Sequence, residues 1–192
     1  MPFRDLVTKC RSYRRFDQSH QVEGGLLRDL VELASMVPSA KNLQPLKYIA
    51  ISDHARASAL FPLLSWAGYL AEWPGPSEEE RPTAYIIMLG DSRICRDFAC
   101  DSGIAAQTIL LGATFAGLGG CIVASIDREK ARTQLKIPDH FEILMVIAIG
   151  LPRESVVIDR MAREDDVRYY RDAHAIHHVP KRPVDEILLD FN

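Results

Sequence analysis

The chain has 192 residues, 47% of them hydrophobic and 26% charged, and a formal net charge of −3. That length can bury a domain-sized core without a metal or disulfide staple. With no basic excess to neutralise phosphates along a duplex, nucleic acid is excluded as the main partner. The cysteines, Cys10, Cys95, Cys100 and Cys121, form no CxxC pair and no zinc spacing, so free thiols in a reducing compartment are expected. Charge interrupts the first five residues, which removes a signal-peptide reading. No apolar run approaches the ~18 residues of a membrane-spanning helix. The expectation is a soluble, cytoplasmic protein with no membrane segment.

In chain order, Phe3, Leu6 and Val7 predict a short helix over residues 3–9. The stretch Arg11-Ser12-Tyr13-Arg14-Arg15-Phe16 follows in a turn or extended exit. Gly24-Gly25 reads as a break, and Leu26, Leu27, Leu30, Val31, Leu33 and Ala34 predict an amphipathic helix over 26–36. It ends before Pro38, because a residue preceding proline is pushed out of the helical region. Residues 38–45 form a loop framed by Pro38 and Pro45, and residues 46–51 a strand.

Residues 55–72 read as one or two helices interrupted at Pro62, and residues 73–82, with Glu78-Glu79-Glu80, as an exposed acidic loop. The apolar run 84–89 is a buried central strand. Residues 101–119 form the longest helix, apolar almost all round and stopped by Gly119-Gly120. Such a helix is enclosed by the fold or by a partner subunit. A strand over 121–124, a helix over 127–135 and a strand over 143–149 complete the pattern. The remainder has little apolar periodicity and carries Arg153, Arg160, Arg163, Arg168 and Arg171. A partner to lie on would offset its ordering entropy.

No P-loop, HExxH or GxSxG motif occurs. Residues 117–122 lack the third glycine of a dinucleotide fingerprint and sit between helix and strand in the wrong order. The histidines show no metal spacing outside the tail pair His177-His178, which reads as solvated or packed. Taken alone, the arginine cluster is either a solvated surface or an anion site, since guanidinium forks match phosphate oxygens. Ser39 and Asn42 are equally compatible with turn-forming roles. Trp66, Tyr69 and Trp73 suit helix packing, or stacking on a flat acceptor.

The combination is more specific. Arg11-Ser12-x-Arg14-x-Phe16 followed by Pro38-Ser39-x-x-Asn42-x-Gln44-Pro45 resembles the opening of the nitroreductase-like FMN-dependent oxidoreductases. The small-residue helix 101–119, Gly117-Leu118-Gly119-Gly120 running into 121–125, the strand ending in Gly150-Leu151-Pro152, and Val179-Pro180-Lys181-Arg182 follow in family order. The resemblance covers nearly the whole chain. It implies an α+β fold: a central, mostly antiparallel or mixed sheet of four to five strands surrounded by helices. It also implies a single domain over 1–192, with residues 151–192 embracing the partner of a homodimer that shares two FMN sites.

By the same resemblance, Arg11, Ser12, Lys181 and Arg182 would hold the FMN phosphate, and Arg14 would reach the ring's pyrimidine edge. Ser39 and Asn42 would border the ring from the other subunit, Pro38, Ala40 and Gln44 would also belong to the cofactor site, and Ile122, Ala124 and Ser125 would face the flavin through backbone. Arg15 is expected in solvent. No protein acid or base and no metal ligand is assigned, because a flavin carries the chemistry itself. The implied activity is transfer of hydride from NADH or NADPH, through flavin, to an electron-poor small molecule such as a nitroaromatic or quinone. The alternatives are an offshoot acting on flavin itself, a dehalogenase, or a flavin-binding protein without turnover. Three positions depart from the pattern. Cys10 stands where many relatives carry a basic residue. Ala124-Ser125 replaces the Glu-Gly of some relatives. The lid region over 70–82 is short, acidic and rich in proline.

Overall fold

A computed structural model describes residues 1–162 and 166–189; Arg163, one of the tail arginines, lies outside them. The chain divides into two compact units, residues 1–66 with 75–153, and residues 67–74 with 154–192.

The larger unit is an α+β sandwich built on one strand order. Its elements are α1 (Phe3–Lys9), β1 (Phe16–Asp17), α2 (Gly24–Ser35), β2 (Leu46–Ile51), α3 (His54–Leu60), β3 (Ala84–Asp91), α4 (Ala99–Phe115), β4 (Gly119–Val123), α5 (Arg128–Leu135) and β5 (Phe141–Pro152). The sheet runs β1-β5-β3-β2, and β4 also pairs with β5. All of its ladders are antiparallel. β3 is buried along its whole length, which explains why its sequence is a continuous apolar run rather than an alternating one.

Alternate residues of β3 feed two cores. Ala84, Ile86 and Met88 face Leu27, Leu30 and Ala34 of α2 and Ala105, Ala106, Ile109 and Ala113 of α4. Tyr85, Ile87 and Leu89 face Ala57 and Leu60 of α3 and Ala131 of α5. Each fully buried Leu or Ile contributes about 1.5–3 kcal/mol through removal from water. Among the described residues no helix is long and apolar enough to cross a membrane.

Element boundaries depart from the sequence pattern in three places. α2 begins at Gly24, so the two glycines read as a break form its first turn, where backbone N–H groups lack helical partners anyway. The segment over 55–72 is not a pair of helices. α3 ends at Leu60, a 3-10 turn at Phe61–Leu63 carries Pro62, and Ala67 takes a φ of 44°.

α4 ends at Phe115, four residues before the expected stop. Gly117 has a φ of 82°, its N–H donates to the Thr114 carbonyl at 3.1 Å, and the Leu118 N–H donates to the Ala113 carbonyl at 2.9 Å. This is a Schellman cap with Gly117 as the left-handed residue. Gly119 and Gly120 instead open β4. A Cβ at Gly120 would lie 2.6 Å from the Ala148 carbonyl oxygen, and one at Gly119 2.5 Å from the Tyr13 ring.

The smaller unit holds β6 (Val156–Arg160), β7 (Tyr170–Arg171), β8 (His177–Lys181) and the short α6 (Val184–Ile187). β6 runs parallel to β8, and β7 antiparallel to it. The tail therefore orders through strand pairing, which its lack of apolar periodicity did not announce. Trp73 lies under the Arg171 guanidinium at 4.7 Å, and Arg171 pairs with Glu154 at 2.9 Å. Tyr69 packs on Tyr169 at 5.0 Å between ring centroids. In the larger unit Trp66 stacks on Phe61 at 5.8 Å. The three aromatics of the lid region are thus each engaged with a ring or a cation, and none packs within a helix.

His178 in β8 stands between two carboxylates, with Nδ1 2.9 Å from Asp159 and Nε2 3.5 Å from Asp172. Burial opposes its charge, but the two carboxylates outweigh that effect and hold its pKa above the usual histidine value.

Candidate functional site

The arginine stretch is placed by backbone pairing. Ser12 forms a parallel bridge to Gly120, and the Tyr13 N–H donates to the Gly120 carbonyl at 3.0 Å. Tyr13 lays its ring over Gly119, and its hydroxyl donates to the Lys9 carbonyl at 3.0 Å. Residues 11–14 are therefore strapped to the free edge of β4, and a side chain at Gly119 would run into the Tyr13 ring. Cys121 and Val123 point into the core, while Ile122 alternates to the other face and is 39% exposed. Ser12 and Tyr13 thus lie along β4 next to Gly120, two residues before the exposed Ile122, with Arg11 and Arg14 flanking them in sequence.

Arg11 sends Nη2 back to the Val7 carbonyl at 2.9 Å, closing the C-terminal turn of α1. Its Nε is buried with no acceptor among the described residues. A buried N–H left unsatisfied is costly, and a phosphate oxygen would satisfy it. Arg14 donates from Nη1 to the Ser12 carbonyl at 3.3 Å. Ser12 is exposed.

Arg15 departs from expectation. It is held by Glu80, and the pair is only 26% and 14% exposed. The Arg15 guanidinium, foremost, keeps the Glu80 carboxyl below the usual carboxylate range. The acidic triplet is accordingly not all solvent-facing, since its last residue anchors the arginine stretch. Cys10 is 6% exposed, in the core beside the Gln107 amide at 3.7 Å. Cys10 therefore packs in the core and offers no cation to an anion.

The turn after β4 is fixed from two sides. The Ser65 N–H donates to the Ser125 carbonyl at 2.9 Å, and the Asp127 N–H to the Leu63 carbonyl at 2.9 Å. Arg128 then clamps the turn to β5, donating to the carbonyls of Ala124 at 3.1 Å and Ile143 at 3.0 Å. Ala124 and Ser125 remain exposed. Arg128 had no signal in the sequence, because its acceptors are backbone oxygens of the turn after β4 and of β5.

The proline-framed loop stands on α4. Asp101, buried in the first turn of that helix, accepts from the Ser39 hydroxyl at 2.5 Å and the Ala40 N–H at 3.0 Å. A carboxylate there also meets the positive end of the helix dipole. Ser39 Oγ in turn accepts from the Gln44 N–H at 2.9 Å. Lys41, Asn42 and Gln44 have φ values of 52°, 55° and 52°. Three left-handed non-glycine residues in four positions are a concentration of strain that persists only where surrounding bonds over-determine it, as at functional sites.

A cleft of about 220 Å³ adjoins this loop, lined in part by Pro38, Ser39, Gln44, Tyr48 and Asp101. Burial, and then the Asp101 charge, pushes the Tyr48 phenol up to about 12, so it stays a proton donor. Asp101 and Tyr48 were not foreseen as site residues. A lone Asp at the start of a small-residue helix and a Tyr in a strand look like cap and core until the loop folds onto them.

The predicted residues therefore fall into three groups. Arg11, Ser12, Arg14, Ile122, Ala124 and Ser125 gather around β4. Pro38, Ser39, Ala40, Asn42 and Gln44 form the strained loop on α4. Lys181 and Arg182 belong to the smaller unit, where the Lys181 carbonyl accepts from the Met161 N–H at 3.1 Å and Arg182 is ion-paired with Glu186.

Comparison with known proteins places the chain in a family. The model of the nitroreductase family matches residues 7–151. An NADH dehydrogenase of Thermus thermophilus is 29% identical over 185 residues, which span 80% of this chain and 90% of that protein. Among solved structures, an FMN-dependent nitroreductase of Clostridium difficile R20291 superposes with a TM-score of 0.65 at 23% identity, over 78% of this chain and 87% of that one. A nitroreductase family protein of Streptococcus pneumoniae TIGR4 superposes with a TM-score of 0.67 at 20% identity, over 98% and 100% of the two chains.

Proposed function

We propose, from the premise that this chain belongs to the nitroreductase family, that it is an FMN-dependent oxidoreductase taking reducing equivalents from NADH or NADPH and passing them to an electron-poor small molecule such as a nitroaromatic or quinone. The observation that carries this reading is the strapping of residues 11–14 along β4, which brings the arginine stretch to a strand whose Ile122 is exposed. One basic wall with a flat apolar neighbour suits a phosphorylated aromatic cofactor. The T. thermophilus relative named as an NADH dehydrogenase and the C. difficile neighbour titled FMN-dependent support the choice of donor and cofactor.

In this reading FMN supplies the hydride chemistry. Arg11 and Ser12 bind its phosphate, the buried Arg11 Nε gaining its missing acceptor. Arg14 lies against the pyrimidine edge, where a fixed cation stabilises negative charge. Ala124 and Ser125, held by Arg128 and by the Ser65 N–H, present backbone to the ring.

The working unit is a homodimer, in which the partner subunit's Ser39 and the partner subunit's Asn42 border the ring. Residues 151–192, with Lys181 and Arg182, reach across the pair. The dimer is supported by apolar side chains left exposed on α1, α2 and α4, among them Phe3, Leu33, Ile104 and Phe115. A patch of that kind marks an association surface. A cytoplasmic location and one functional domain over the whole chain belong to the same proposal.

The test is a visible spectrum of purified protein under anaerobic conditions. Flavin absorption is expected, bleached by NADH or NADPH and restored by a quinone or nitroaromatic. A colourless protein that does not take up FMN would overturn the reading. Bound flavin that neither nucleotide reduces would make this a flavin-binding protein without turnover.

A further inference from the structure

The residues that follow the 3-10 turn Glu78–Glu80 meet α3 around a small cavity of about 10 Å³. Such a space holds one water or one monatomic ion, not an oxyanion the size of sulfate. The Tyr85 side chain on its wall is 0% exposed, yet its hydroxyl has no partner among the described residues. Arg81 on the same wall has a buried Nε that also finds no acceptor. Its guanidinium lies 4.3 Å over the Phe61 ring and makes no ion pair among the described residues. Burial raises the Tyr85 pKa far more than the nearby Arg81 charge lowers it, so the phenol is a neutral donor. Thr83, the next hydroxyl on the wall, donates to the His20 carbonyl at 2.9 Å.

Two residues with buried, unpartnered donors, one of them a cation with no ion pair among the described residues, therefore line a space of one atom. A water would have to place its own protons as well, and it would leave the charge unneutralised. An anion accepts from both donors and neutralises the guanidinium. We propose that this cavity binds a single monovalent anion of chloride size, held between the Arg81 guanidinium and the Tyr85 hydroxyl, with Ser58 at its rim. Bound there, the ion ties the end of the Glu78–Glu80 turn to α3. It thereby steadies Glu80, the residue that grips Arg15 beside the basic wall. The site lies apart from the flavin wall and does not depend on the function proposed for it.

The test follows the thermal unfolding midpoint of the full chain in sodium chloride, sodium bromide and, at matched ionic strength, sodium sulfate. Chloride and bromide should raise the midpoint saturably by a few degrees and sulfate should not. The ³⁵Cl resonance should broaden in the presence of the protein. Tyr85→Phe and Arg81→Gln should each remove both responses. A midpoint that answers chloride and sulfate alike would overturn the proposal. So would a Tyr85→Phe variant shifted by the same amount with and without chloride, which would leave water as the sole occupant. Should a variant fail to fold, ³⁵Cl broadening by the wild type that bromide competes away upholds the site, and its absence overturns it.

Discussion

Arg14 and Arg15 show how two charges in one short stretch take different duties. Arg14 donates to the Ser12 carbonyl at 3.3 Å, at the edge of the wall proposed for the flavin. Replacing it with alanine should weaken FMN binding about 10- to 100-fold, the scale of one hydrogen bond involving a charged group. Flavin titration of Arg14→Ala measures this, and an unchanged affinity would remove Arg14 from the ring. Glu80 anchors the neighbouring Arg15 from the interior side of the stretch. Its folded pKa is depressed, first by the hydrogen bonds from Arg15. The stability it adds is therefore fully present above the ordinary carboxylate value of 4.5 and is lost as pH falls through the lower folded value. Urea unfolding of wild type and Glu80→Gln should differ at neutral pH and converge in acid. A difference that stays constant across that range would show that the ion pair does not carry it.

At the scale of elements, α4 and β4 depend on glycines for separate reasons. Gly117 closes α4 with a φ of 82°, so Gly117→Ala should cost about 1 kcal/mol for a left-handed alanine. Gly120 has no such φ, but its Cβ would strike the backbone of β5. Gly120→Ala should cost about 2–3 kcal/mol, as overpacking does, and it should also loosen residues 11–14 and lower flavin content. Denaturant midpoints rank the two variants, and equal losses would mean that close approach is not the reason for Gly120. The loop on α4 illustrates the opposite economy. Its left-handed residues at 41, 42 and 44 are held by Asp101 through Ser39 and Ala40, so strain at the loop is sustained by a buried carboxylate on another element.

At the scale of the molecule, the charge of −3 and the apolar outer faces point in one direction. Phe115 is 71% exposed and Ile104 37% exposed on α4, although the helix sequence is apolar on all sides. A glutamate at position 104 should convert the proposed dimer to a monomer with reduced flavin content. Light scattering coupled to size exclusion reads the mass directly, and an intact dimer for Ile104→Glu would place the interface elsewhere. In the smaller unit, β6, β7 and β8 supply order that no apolar stripe announced, through strand ladders and the charges around His178.

The sequence by itself determined the order of strands and helices in the larger unit, because a run such as 84–89 or a stripe such as 26–34 has one period and one face to bury. It also marked Arg11, Ser12, Arg14, Ser39 and Asn42, since motif residues keep their spacing wherever the chain goes. Only the tertiary structure decided what each of them touches. Ser12 reaches β4 through a bridge to a residue more than a hundred positions away. Arg15 finds Glu80, and Ser39 finds Asp101, across separations of 65 and 62 residues. Arg128 has backbone acceptors, which leave no trace in residue type. Local periodicity is a property of neighbouring residues and is readable in one dimension. Hydrogen bonds between distant segments are set by how the layers close, and they exist only once the core has brought those segments together.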